Sequence, residues 1–70
     1  MTEFPHRLRE LREKRGVSRR ILAELCGLSK NMVSRYERGE RVPSIDEAAQ
    51  LADYFGVTLD DLCGRKIPRD

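Results

Sequence analysis

SRRILAELCGLSKNMVSRYERG, residues 18–39, is the stretch on which the fold turns. Ser18 has the side chain of a helix N-cap, and Gly27 can end the helix it opens. Only Gly27-Leu28 separates that helix from a next one opening at Ser29, which is expected to cap it, and ending at Gly39. So short a link forces a sharp bend, and glycine reaches the left-handed backbone such a bend requires. Ala23, four residues before Gly27, keeps the two helices close; Val33, six residues after it, supplies the apolar contact from the other side. A small residue, a glycine and a branched apolar residue at these offsets describe a helix-turn-helix.

The flanking sequence extends the helical reading. A first helix runs from about Pro5 to Arg15, with proline suited to its first position, Leu8 and Leu11 facing inward, and Gly16 as its stop. In the second helix Leu22, Leu25 and Cys26 form the expected core face. In the third, Val33, Tyr36 and Glu37 share the inward face, while Lys30, Asn31, Ser34 and Arg35 line the other. After the linker Arg41-Val42-Pro43, Ser44 and Glu47 stand at capping-box spacing. Ile45, Ala48, Ala49, Leu51, Ala52 and Phe55 then recur at helical spacing up to Gly56. A short fifth helix spans Thr58–Leu62, with Asp60 and Asp61 favourably placed in its first turn, and Arg65–Asp70 reads as a tail. Nothing alternates with period two, so an all-α domain over residues 1–64 is expected.

Seventy residues allow one domain. There is no membrane-length apolar run and no signal-like apolar start, which points to a soluble intracellular protein. The net charge of +2 conceals a division: residues 1–41 carry eleven Lys and Arg against six Asp and Glu, residues 42–70 three against six. The first part suits a polyanion. Cys26 and Cys63 lack metal-site spacing and occupy apolar positions, so each reads as a small buried hydrophobe. His6 has no partner for catalysis, the adjacent Asp60 and Asp61 point apart, and no glycine-rich phosphate loop is present; neither an enzyme nor a cofactor is expected.

One set of fragments goes further. Leu11-Arg12, Gly16-Val17-Ser18, Leu22-Ala23, Gly27, Val33 through Gly39, Pro43, Leu51-Ala52 and Phe55 through Leu62 occur in an order and spacing that resembles the lambda-repressor-like, Xre/Cro-type family of DNA-binding domains. The resemblance covers about Leu8 to Leu62 and implies that helix three enters the major groove of double-stranded DNA. By that resemblance Lys30, Asn31, Ser34 and Arg35 face base edges, and Arg19, Ser29, Arg38 and Arg41 hold phosphates. Arg12 pairs with Glu37 to lock the reading helix in place. It also implies a dimer on a palindromic operator, through a surface on helices four and five that includes Val42, Val57 and Leu59.

Two departures from the family pattern stand out. Arg19 replaces the usual glutamine and Arg20 follows it, adding cations beside the backbone. Ile21 and Leu25 form an apolar strip where polar residues are usual; either Phe4 folds over them or they meet a protein partner. The resulting expectation is a sequence-specific transcriptional regulator, read as a repressor, in the cytoplasm and on the nucleoid when bound. The alternative is a protein-interaction module on the same fold, an antitoxin or anti-repressor. No membrane association and no small-molecule ligand are expected.

Overall fold

A computed structural model describes residues 3–64; the expected tail at 65–70 lies outside the described residues. Among these residues the chain forms five helices and no strand: α1 (Phe4–Arg15), α2 (Arg19–Leu25), α3 (Met32–Glu37), α4 (Ile45–Phe55) and α5 (Leu59–Leu62). Helices this short are marginal in isolation and hold their shape by packing. Their ends are set locally. Ser18 Oγ accepts from the Ile21 amide at 3.1 Å, and Thr58 Oγ1 accepts from the Asp61 amide at 3.0 Å. The capping box opening α4 is complete: the Glu47 amide donates to Ser44 Oγ at 3.1 Å, and the Ser44 amide to Glu47 Oε1 at 2.9 Å. Gly27 turns the chain between α2 and α3 at φ 69°, and the Leu28 amide closes the turn on the Ala23 carbonyl at 2.8 Å. A β-carbon at Gly27 would meet nothing within 4 Å, so the requirement there is torsional.

The core joins Phe4 and Leu8 of α1, Leu22, Ala23 and Cys26 from α2 and its cap, Val33 and Tyr36 of α3, Ala48, Leu51, Ala52 and Phe55 of α4, and Leu62 of α5. Phe4 meets Tyr36 edge to face, with ring centroids 5.6 Å apart. This placement overturns the idea that Phe4 covers Ile21 and Leu25: its ring turns into the core, and both of those residues stay exposed. Leu25 therefore leaves the core face expected for α2, which Leu22, Ala23 and Cys26 form without it. Ile45, expected in the α4 stripe, is 81% exposed. It is the first residue of α4, where side chains tilt back past the helix end and so beyond the neighbouring elements. Cys63 is half-buried rather than buried, whereas Cys26 is buried and that burial pushes its thiol pKa up.

The largest departure lies at the start of the expected reading helix. Ser29 caps nothing there; α3 begins at Met32 with Asn31 as N-cap and no side-chain cap hydrogen bond. The Ser29 carbonyl accepts from the Met32 amide at 2.9 Å, so residues 29–31 form a turn that feeds the helix. Lys30 and Asn31 thus sit at the mouth of α3 instead of along its side.

Candidate nucleic-acid interface

Glu37, in the last turn of α3, anchors that helix to α1. Arg12 of α1 donates from Nε to Glu37 Oε2 at 2.7 Å and from Nη2 to Oε1 at 3.2 Å. Its remaining nitrogen, Nη1, donates to the Val17 carbonyl at 3.0 Å. The Glu37 side chain is only 4% exposed and that of Arg12 10%. The Glu37 hydrogen bonds raise the pKa of Arg12 above its ordinary value, which fixes its charge. A second cation joins the pair: Arg19 Nε donates to Glu37 Oε1 at 3.0 Å while its side chain remains 45% exposed. Two guanidinium groups against one carboxylate leave this cluster with a net positive charge facing solvent at Arg19.

Tyr36, on the inward face, supplies a further anchor. Its hydroxyl donates to Glu47 Oε1 at 2.7 Å, the oxygen that also completes the α4 capping box. Burial and the Glu47 carboxylate together push the tyrosine pKa well above its usual value. Conversely, the Ser44 amide, the Tyr36 hydroxyl and the charge of Arg41 hold the Glu47 carboxyl below the usual range. Arg41 lies 3.9 Å from Glu47 Oε2. One carboxylate therefore ties α3, the linker and the start of α4 together.

Around these anchors, Arg20, Ser29, Lys30, Asn31 and Arg35 are exposed and Ser34 is half-buried. Arg38 is exposed but engaged: Nε and Nη2 donate to the two Glu40 oxygens at 2.8 and 3.1 Å. The phosphate-binding candidates thus separate. Arg19, Arg38 and Arg41 each sit beside an acid, whereas Ser29 stands in the turn before α3. The tyrosine hydroxyl contact with Glu47 leaves no trace in local sequence. The Arg38–Glu40 pair, two residues apart, is not a helical contact spacing and forms because the turn past α3 brings the two side chains together.

The basic excess of the first 41 residues is not all surface charge. Arg7 Nη2 reaches Asp61 of α5 at 2.9 Å, and its Nε donates to the Asp61 carbonyl at 3.3 Å. Arg15 lies over the Tyr54 ring at 4.8 Å and donates to the carbonyls of Tyr54 and Phe55 at the end of α4. With Arg12, three arginines of α1 clamp α3, α4 and α5. Part of the charge division is therefore internal pairing.

Among exposed apolar residues, Ile21 is 44% and Leu25 59% exposed on α2. Further along the chain, after α3, Val42 is 69% and Leu59 45% exposed. Val57 is a correction to the expected α4–α5 contact surface: it is half-buried and packs against the core.

Five short helices, a glycine bend between α2 and α3, and cations at the mouth and outer face of α3 define a lambda-repressor-like helix-turn-helix domain. The chain belongs to the helix-turn-helix family, whose sequence model matches residues 8–62. It is 45% identical over 60 residues to the HTH-type transcriptional regulator AnsR of Bacillus subtilis, covering 86% of this chain and 52% of AnsR. It is 30% identical over 59 residues to the cryptic phage CTXphi transcriptional repressor RstR of Vibrio cholerae, covering 84% and 53%. The chain thus spans about half the length of these relatives. The crystal structure of the restriction-modification controller protein C.AhdI from Aeromonas hydrophila superposes with a TM-score of 0.79 at 38% identity, covering 86% of this chain and 91% of that one. These proteins are named as regulators or controllers, not as enzymes. No helix among the described residues is long and apolar enough to cross a membrane.

Proposed function

We propose that the protein is a sequence-specific transcriptional regulator, acting as a repressor in the cytoplasm, that binds double-stranded DNA as a dimer on a palindromic operator. Asn31 and Arg35 read base edges, with Lys30 and Ser34 beside them; Asn suits adenine and Arg suits guanine as bidentate partners. Arg19, Ser29, Arg38 and Arg41 hold phosphates and set the register. The observation that carries this reading is the exposed group at the mouth and outer face of α3, mounted on a buried Arg12–Glu37 anchor. A reading helix fixed in this way loses little freedom on docking. Val42, Ile45 and Leu59, exposed after α3, supply apolar surface for the dimer contact. Selection of bound sites from a random DNA pool tests the whole reading. It should enrich a palindrome whose half-sites lie about one helical turn apart. An enriched site without symmetry removes the dimer, and a pool with no enriched site removes sequence-specific binding.

A second reading rests on the exposed Ile21–Leu25 strip, four residues apart on α2. In it the chain is an interaction module whose main partner is another protein. Salt-dependent retention on heparin or random DNA separates the two, because the interaction module has no need of it. Replacing both residues with glutamate should abolish a protein complex and leave the fold intact; unchanged association ends this reading.

A further inference from the structure

Three acids touch the cations assigned to phosphate, and two of them have structural work. Glu37 is buried as the anchor of α3, and Glu47 caps α4 while holding the Tyr36 hydroxyl. Glu40 differs. Its amide is used, donating to the Arg35 carbonyl at 2.9 Å beside the Gly39 amide on Tyr36 at 3.0 Å, which fixes the turn just past α3. Among the described residues its carboxylate touches only Arg38, taking both Nε and Nη2. The two side chains are 58% and 51% exposed, and ion pairs so exposed add little to stability. A carboxylate next to a helix C-terminus is also on the unfavourable side of the helix dipole.

The Nε–Nη2 edge that Glu40 occupies is an edge with which a guanidinium grips a phosphate in bidentate fashion. Carboxylate and phosphate therefore compete for the same two donors. Hydrogen bonds from Arg38, aided by the charge of Arg35, hold the Glu40 carboxyl below its ordinary pKa, so it is ionised at neutral pH. We propose that Glu40 limits the affinity of this protein for DNA, by occupying the edge of Arg38 that a backbone phosphate must displace. This rests on the DNA-binding reading above and assigns a residue that restrains it.

Fluorescence anisotropy of the full chain on a random-sequence duplex, across a salt series, tests the idea with wild type, Glu40→Gln, Arg38→Ala and the double variant. Non-specific affinity is almost wholly phosphate electrostatics, and each contact contributes about 0.9 to the slope of log K against log salt. Glu40→Gln should bind about fivefold more tightly near 0.1 M salt and steepen the slope by about 0.9. In the Arg38→Ala background the steepening should vanish, because no guanidinium edge is left to free. A slope unmoved by Glu40→Gln overturns the proposal. So does equal steepening with and without Arg38, which would mean general charge repulsion. A melting midpoint for Glu40→Gln well below wild type also counts against it, since the carboxylate would then have a structural duty. Wild type that fails to bind the duplex even at low salt overturns the DNA reading itself, and the proposal with it.

Discussion

Glu37 and Glu40 lie three residues apart and hold arginines at nearly the same distance, 2.7 and 2.8 Å. Their consequences differ because their surroundings do. Glu37 is 4% exposed, so its charge has no water to fall back on; Glu40 is 51% exposed and has water always. Hydrogen-bond length therefore says little about what an ion pair contributes, and burial says most. The first acid belongs to the fold and the second is free to act on binding.

The comparison breaks most readily at Glu37. Glu37→Ala should destabilise the protein by about 3–5 kcal/mol, because Arg12 is left charged and buried with only the Val17 carbonyl. A thermal melt within error of wild type would show that the buried pair contributes no more than the exposed one. Tyr36→Phe should cost less, about 1–2 kcal/mol by denaturant melting, since it removes one hydrogen bond to a charged group and leaves Glu47 its Ser44 partner.

Acid offers a third test. Glu47 has a folded pKa below its unfolded value, so the unfolded chain takes up this proton first. Its stabilisation is complete above about pH 4.3, the unfolded carboxylate value, and is lost as pH falls through the folded pKa. In Glu47→Gln this part of the acid limb of a stability–pH curve should flatten; an unchanged limb would remove Glu47 from the network. Arg19→Ala is expected to act mainly on binding. It should weaken affinity for all DNA sequences and flatten the salt slope by about one unit, because the Arg12–Glu37 pair survives without it. An unchanged slope would make Arg19 purely a partner of Glu37. The smallest effect belongs to Glu40→Gln, whose melting midpoint should match wild type.

Much of the architecture is legible along the chain. The glycine stops at Gly16, Gly27, Gly39 and Gly56, the cap at Ser18 and the box at Ser44 and Glu47 act within a few residues; Thr58, read as the first residue of the fifth helix, is its cap. The Arg12–Glu37 pair was legible only through family resemblance, because 25 residues separate the partners. The start of α3 was not legible. Ser29 has the right side chain for a cap, yet four residues follow Gly27 before the helix begins at Met32. Leu25 and Ile45 misled because helical spacing marks a stripe but does not say where the neighbouring elements stop.

By itself, then, the sequence determined the number and order of the helices and the bend between α2 and α3, because capping bonds and glycine torsions act over a few residues. Only the tertiary structure decided which charges remain available. Arg7 meets Asp61 across 54 positions, Arg15 closes the end of α4, and Arg12 is buried against α3. A count of charges cannot separate a cation that clamps the fold from one that faces a ligand, since that depends on which side chains converge when the helices pack.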